Sequence, residues 1–180
     1  MQQYLDSIRL SLVTNNYFGA IAMALTLPDI CSSIEAQNNK TSGDKYCDWF
    51  NRYLSQKYTI PADEWSEEKV LFSAKECYAA RCSFLHQGTN LTSHQRILHG
   101  IEKAAPSVSF MKGTFISKVS RNDHKVTLDV DNFCQNMIGA VERWIEDNRS
   151  NTTICDKISE LPNVYMGTEN LPFAYTFAPR

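Results

Sequence analysis

The chain has 180 residues, of which 43% are hydrophobic, and it includes nine Phe, eight Tyr and three Trp. This length and composition predict one compact domain with a hydrophobic core, and they exclude an intrinsically disordered chain. Its 18 basic and 20 acidic side chains give a net charge of -2, which argues against broad, nonspecific coating of nucleic acid. Any contact with RNA is therefore expected to be local.

The N-terminal segment has Asp6 and Arg9 among its apolar positions and lacks the pattern of a signal peptide. The apolar stretch from Tyr17 to Leu27 is shorter than a membrane span. We therefore expect a cytoplasmic protein without a membrane partner. In a reducing compartment, Cys77 and Cys134 are expected to be small core residues rather than disulfide partners.

The first part of the chain predicts two helices. The first covers about Gln3 to Leu27 and ends near Pro28, because its apolar residues recur at helical spacing. The second begins at an Asp44 cap. It carries an aromatic stripe that predicts a core face rather than a surface for stacking bases: Tyr46, Trp49, Phe50, Tyr53 and Leu54.

A third helix carries the residues most indicative of function. Its predicted N-cap is Ser66, its predicted stop is Gly88, and its buried stripe comprises Val70, Ala74, Cys77, Tyr78, Arg81 and Leu85. Arg81 therefore falls on the apolar face. Because a guanidinium keeps its charge when buried, Arg81 needs an anionic partner or a polar groove.

The second half predicts a β-hairpin followed by a helix. Residues Ser93 to Ala105 are expected to hold a short helix, and residues 107–130 alternate in the two-residue rhythm of an inserted hairpin, including Thr114 and Ile116. Four basic residues of this segment are either solvated or contact RNA phosphates: Lys112, Lys118, Arg121 and Lys125.

The final helix is predicted to start at Asp131. Its apolar stripe comprises Phe133, Cys134, Met137, Ile138, Val141, Trp144 and Ile145. The chain beyond Asn148 is expected to be loop-like. We expect residues 151–180 to form a C-terminal extension that packs on the bundle or on a partner subunit through Tyr165, Phe173, Tyr175 and Phe177.

Arg81, four intervening residues and His86 stand at the end of the third helix, followed by Gln87 and Gly88. This arrangement resembles the Arg-x4-His motif of the HEPN superfamily, over about residues 1–150. The resemblance implies a mainly α fold, namely an HEPN-like up-and-down helical bundle with a small inserted β-hairpin. It also implies a metal-independent endoribonuclease without a cofactor, usually a homodimer, in which the RNA 2′-hydroxyl attacks the adjacent phosphate.

In that reading the catalytic residues are Arg81 and His86, and no residue is assigned to substrate binding. His86 would transfer a proton, and Arg81 would stabilise the charge that develops on the phosphate. Five residues of a straight helix separate the two side chains by about 140°, so they share no face. Unwinding of the last turn or a homodimer would bring them together.

One residue departs from the motif, because Cys82 stands where active members commonly carry Asn, Asp or His. Two hypotheses therefore remain. The first is an endoribonuclease in a toxin, phage-defence or stress-response system, with an antitoxin as a candidate partner. The second is a noncatalytic HEPN module that binds a nucleotide or a protein such as a nucleotidyltransferase, with Arg81 in a buried salt bridge and His86 capping the helix.

Overall fold

A computed structural model describes residues 1–113 and 118–164 of the chain. Its α-helices are α1 (Gln2–Val13), α2 (Tyr17–Glu35), α3 (Gly43–Tyr53), α4 (Ala74–Gln87), α5 (Val130–Asp147) and α6 (Thr152–Ser159). Its strands are β1 (Thr59–Ile60), β2 (Lys69–Val70), β3 (Val108–Met111), β4 (Val119–Arg121) and β5 (Val126–Asp129). The described part is mostly helical with small sheets, as the sequence predicts at this level.

The predicted first helix is two helices, α1 and α2, which pack against each other. The chain turns at Asn15, whose φ is 60°, and the Asn16 side chain caps α2 by accepting a hydrogen bond from Gly19 N. The prediction of an end near Pro28 is wrong, because α2 continues to Glu35. Cys31 and Ile34 are buried beyond the proline, so core packing outweighs its cost in the helix.

Because α2 is 19 residues long, the expectation that this apolar stretch is too short for a membrane span is wrong. It is the one helix of the described residues that has the length and composition to cross a bilayer. Half of its most apolar window is buried inside the protein. Core helices of soluble proteins and signal sequences share these properties. Length and composition therefore do not distinguish a membrane span from a core helix or a signal sequence.

Helices α3 and α5 supply many of the large side chains of the core. Trp49, Phe50 and Trp144 are fully buried, so the predicted core faces of both helices are confirmed. Buried Cys77 and Cys134 are also confirmed as core residues. The predicted Asp44 cap is wrong by two residues, because Ser42 caps α3 through its side-chain oxygen. Helix α5 starts at Val130, one residue before the predicted Asp131, and is capped by the Asp129 side chain.

The loop predicted after Asn148 contains helix α6. Its Ile154 side chain is buried in the common core, and Lys157 Nζ donates to the Ile34 and Ala36 carbonyls at the end of α2. These two contacts pack α6 against α2. Tyr165, Phe173, Tyr175 and Phe177, predicted to anchor the tail, lie outside the described residues.

The cap of α4 is Ser73, seven residues after the predicted cap Ser66. The Ser73 hydroxyl accepts from Glu76 N, while the Glu76 carboxylate accepts from Ser73 N, which is a complete capping box. Ser66 instead donates to Asp63, and Val70 is an exposed residue of β2 rather than part of the buried stripe. Residues of the stripe from Ala74 onward lie on α4 as predicted.

The segment from 107 to 130 is more than a hairpin. Strands β4 and β5 pair antiparallel as a hairpin, but β3 pairs parallel with β5 in the order β3-β5-β4. Val108, Val126 and Leu128 join the helical core, so this sheet is part of the domain core. Thr114 and Ile116 lie outside the described residues, and the helix expected near Ser93 is a 3-10 turn at Arg96–Leu98.

A buried carboxylate on α4 ties this sheet to the helices. Glu76 is 1% exposed, and its oxygens accept from Ser73 N, Ser73 Oγ, Ala105 N and Arg121 Nη1 at 2.8–2.9 Å. Arg121 also donates to the Leu71 and Lys103 carbonyls. All lone-pair directions of the carboxylate are therefore in use, which offsets the cost of burying its charge.

Removing this carboxylate should destabilise the fold. Glu76→Ala is expected to lower the free energy of unfolding by about 3–5 kcal/mol, because it leaves the Arg121 charge largely buried without its partner. Lys75→Ala, on the exposed side of the same turn, is the matched control and should change it by less than about 0.5 kcal/mol. Urea unfolding measures both; equal effects of the two substitutions would contradict this role for Glu76.

Candidate functional site

The anionic partner that Arg81 requires is Asp29 of α2. Arg81 Nε donates to Asp29 Oδ2 at 2.7 Å, and the two side chains are 21% and 13% exposed. The sequence predicts the need for such a partner but does not identify it, since Asp29 lies 52 residues earlier in the chain. The pair joins α4 to α2 and fixes the plane of the guanidinium.

The same guanidinium reaches His86, with Arg81 Nη1 and His86 Nε2 2.7 Å apart. A guanidinium has donors only, so His86 Nε2 accepts this hydrogen bond and the ring proton of the neutral imidazole is on Nδ1. Helix α4 stays regular to Gln87, and Gly88 ends it in the left-handed conformation as predicted. The flexible Arg81 side chain, without unwinding of the helix, spans the angle between the two residues.

This contact lies within one copy of the chain. The angular argument for a homodimer therefore does not hold, because no second copy is needed to bring Arg81 and His86 together. A homodimer rests on the resemblance alone.

The position after Arg81 faces a polar neighbour. The Cys82 thiol lies in the electrostatic environment of the Tyr78 hydroxyl and of Arg81. Burial, together with the neighbouring thiol, raises the pKa of Tyr78, which keeps this hydroxyl neutral. Ser83 does not replace the polar residue of the motif, because it is buried and accepts a hydrogen bond from Gln95 Nε2.

Beyond Arg81 and His86, three polar side chains are hydrogen-bonded to one another at the exposed end of α4. Gln87 Oε1 lies 2.5 Å from His94 Nε2, and Gln95 Nε2 donates to Gln87 Oε1 at 3.2 Å. These contacts hold the loop after α4 against the helix end that carries His86. The sequence analysis did not identify this network, although Gln87 follows His86 directly.

The electrostatics of Asp29 reflect two opposed effects. Burial raises the pKa of this carboxyl above its usual value, and the positive charge of Arg81 opposes the rise. Burial lowers the pKa of the Arg81 guanidinium, but the attraction of Asp29 and the neighbouring Cys82 thiol together raise it above its ordinary value, so Arg81 keeps its charge. The candidate site therefore holds a permanent cation beside an imidazole.

The four basic residues of the 107–130 segment do not form one patch. Arg121 is bound to Glu76 and two carbonyls, so it is neither a solvated charge nor free to hold a phosphate. Lys112 is exposed, pairs with Asp131 and lies 5.4 Å from the Tyr17 ring centroid. Lys118 and Lys125 are exposed. The interpretation of these residues as a shared phosphate-facing set is therefore wrong for Arg121.

No metal cluster marks the pair among the described residues. The described residues contain no group of three or more His, Cys, Asp or Glu side chains that could hold a metal ion. A cleft of about 580 Å³ lies elsewhere, between α2 and α3, and is lined in part by Glu35, Lys45 and Arg52. His86 is an exposed residue, so a polymer can reach its ring.

Comparisons of this chain with models of protein families, with curated proteins and with solved structures return no match. The function must therefore be argued from the residues and their geometry.

The opposite environments of two aspartates give a direct test of the site's electrostatics. Hydrogen bonding, first from Trp65 N and then from the Ser66 hydroxyl, lowers the pKa of Asp63, whereas burial raises that of Asp29. In an acid titration followed by carboxyl NMR, Asp29 should therefore protonate at a higher pH than Asp63. Because its folded-state pKa exceeds the unfolded value, protonation of Asp29 favours the folded state, while protonation of Asp63 opposes it.

The reverse order of the two titrations would mean that the Asp29 carboxyl is not desolvated as described. Arg81→Ala supplies the control, since loss of the opposing positive charge should raise the pKa of Asp29 further and leave that of Asp63 unchanged.

Proposed function

We propose that this protein is a metal-independent endoribonuclease of the HEPN type, with Arg81 and His86 as catalytic residues. The observation that carries the proposal is the 2.7 Å contact between the guanidinium and the imidazole, held in place by Asp29. A neutral imidazole can accept a proton as a general base, and a fixed cation beside it can stabilise the negative charge that develops on a phosphate.

The proposed reaction is an intramolecular transfer within the RNA. The 2′-hydroxyl oxygen bonds to the adjacent phosphorus as its proton passes to His86 Nε2, and the bond from phosphorus to the 5′-oxygen breaks. The leaving oxygen takes a proton from solvent. The products are a strand with a 2′,3′-cyclic phosphate and a strand with a 5′-hydroxyl.

Arg81 has the donors for this role. Nε is engaged by Asp29 and one N–H of Nη1 by His86, while the guanidinium has five N–H donors in a fixed plane. A phosphate oxygen that takes the Nη1 donor would free the lone pair of His86 Nε2 to accept the proton. The contact between Arg81 and His86 then represents the resting form of the site.

The wider proposal follows the same resemblance. The mostly helical domain would be an HEPN-like bundle in which β3, β4 and β5 are an addition, and the protein would act as a cytoplasmic homodimer. Its expected setting is a toxin, phage-defence or stress-response system, in which an antitoxin would cover the exposed His86.

A second candidate is a noncatalytic HEPN module that binds a nucleotide or a protein such as a nucleotidyltransferase. Two observations favour it: Asp29, Arg81 and His86 are hydrogen-bonded in series, and Cys82 supplies only a weak polar partner beside them. In this case the contacts among these three residues would only stabilise the packing of the end of α4 against α2.

Substitution of the catalytic pair separates the two candidates. Arg81→Ala and His86→Ala should each reduce RNA cleavage by roughly 100-fold or more in the presence of a chelator, since each removes a distinct element of the transition state. Arg96→Ala and His99→Ala replace the same residue types at exposed positions nearby and should leave cleavage unchanged. Cleavage of labelled RNA is measured on folded protein, with circular dichroism as the check.

Activity that survives in both Arg81→Ala and His86→Ala would reject the assigned residues. Absence of cleavage of any RNA by the unaltered, folded protein would favour the noncatalytic module.

Asp29 is proposed as a positioning residue that acts through Arg81. Asp29→Ala should lower cleavage by about 10-fold to 100-fold, because a guanidinium displaced by about 1 Å no longer meets the phosphate correctly. Asp29→Asn keeps an oxygen that accepts from Arg81 Nε and should restore a large part of the rate. A rate in Asp29→Asn as low as in Asp29→Ala, at equal thermal stability, would contradict positioning through this hydrogen bond.

A further inference from the structure

An exposed phenylalanine lies on the same pair of helices as the proposed catalytic residues. Phe18, at the start of α2, is 78% exposed, although its residue type is usually buried. One face of its ring stacks on Phe84 of α4, with the centroids 6.0 Å apart and the planes 20° from parallel.

The Phe18 ring is the outer end of a series of aromatic contacts. Phe84 meets Phe110 of β3 edge to face, and Phe110 meets Phe133 of α5 in the same way. Phe133 is 1% exposed, so the series of rings extends from the core to the surface. We call Phe18, Phe84, Phe110 and Phe133 the aromatic series. It packs the Phe18 ring against Phe84 while much of the surface of Phe18 is exposed to solvent.

The aromatic series is connected to the proposed site through both helices. Phe84 follows Arg81 by three residues on α4, so the two are neighbours on the helix surface. On α2, Phe18 and Asp29 are 11 residues apart, which is three turns, and they therefore share one face at a separation of about 16 Å. A polymer lying along this face would meet the ring and the catalytic pair at different nucleotides.

We propose that Phe18 is a stacking platform for a base of single-stranded RNA, at a nucleotide near the one that is cleaved. This inference rests on the proposed ribonuclease function. An aromatic ring with a free face binds any base, because every base has a π-face, and single strands offer unstacked bases that a duplex does not. The site would therefore select single-stranded RNA without selecting its sequence.

Lys112 places a cation at the same corner of the molecule. Its Nζ lies 5.4 Å from the ring centroid of Tyr17, the residue before Phe18, and it pairs with the exposed Asp131. A phosphate of the stacked nucleotide could bind the Lys112 ammonium in place of Asp131. This is one phosphate contact rather than a basic groove, in keeping with the chain's net charge of -2.

Binding of an RNA that cannot be cleaved tests the platform without depending on activity. The probe is a labelled single strand carrying 2′-O-methyl groups, which has no free 2′-hydroxyl, and binding is followed by fluorescence anisotropy in chelator. Phe18→Ala should weaken binding about 10-fold, within the range measured for loss of one stacked base. Phe18→Tyr keeps the ring and should bind within about twofold of the unaltered protein.

Two controls separate stacking from other effects. Val13→Ala alters another apolar side chain near this corner, 79% exposed and outside the aromatic series, and should leave binding unchanged. A second probe replaces the bases by abasic sugars and keeps the phosphates. Phe18→Ala should have no effect on the binding of this abasic strand, since the stacking partner is already gone.

The outcomes distinguish this inference from the function it rests on. If the unaltered protein binds the intact probe and Phe18→Ala binds it equally well, the platform is rejected while the ribonuclease proposal stands. If the unaltered protein binds neither probe, the ribonuclease proposal itself is overturned. If light scattering shows that Phe18→Ala changes the protein from two copies to one, the ring belongs to a contact between copies and the platform is rejected.

Discussion

The ion pair between Asp29 and Arg81 is the constraint on which the candidate site depends. A guanidinium on the inward side of a helix cannot lose its charge, so the neighbouring helix must supply an anion. Asp29 does so, and in accepting from Nε it fixes the plane in which the remaining N–H groups lie. His86 then meets Nη1 although it lies about 140° around the helix from Arg81.

Helix α4 is held by a charged contact toward each end. Near its start, the Glu76 carboxylate binds Arg121 and the Ala105 amide, which ties the helix to the sheet. Near its end, Arg81 binds Asp29, which ties it to α2. A helix fixed at two points to different parts of the fold can hold Arg81 and the neighbouring His86 rigidly in place.

The sequence predicted those features that depend on local pattern. The helical stripe from Ala74, the stop at Gly88 and the core faces of α3 and α5 follow from apolar spacing and backbone preference, and the structure has them. The sequence also contains the Ser-x-x-Glu pattern of a capping box at Ser73 to Glu76 and a turn composition at Asn15-Asn16. The helical periodicity of the apolar residues extends across both positions, so by itself it predicts longer helices than the structure has.

Features that depend on tertiary contacts could not be predicted in this way. No local sequence pattern indicates that Arg121 forms an ion pair with Glu76 instead of facing solvent, or that β3 pairs parallel with β5. The continuation of α2 past Pro28 likewise depends on residues that bury Cys31 and Ile34. The same holds for the site: the pattern indicated Arg81 and His86, whereas Asp29 and the position of Phe18 required the packing of α2 against α4.

Analysis of the ends of the cut RNA tests the central claim most directly. The protein is incubated in chelator with an RNA and with the same strand carrying a single 2′-deoxy nucleotide at the mapped cleavage site. The account predicts a 2′,3′-cyclic phosphate and a 5′-hydroxyl from the first strand, and loss of that cut in the second, because the missing hydroxyl is the nucleophile. Full cleavage of the deoxy-substituted strand at the same position would contradict it.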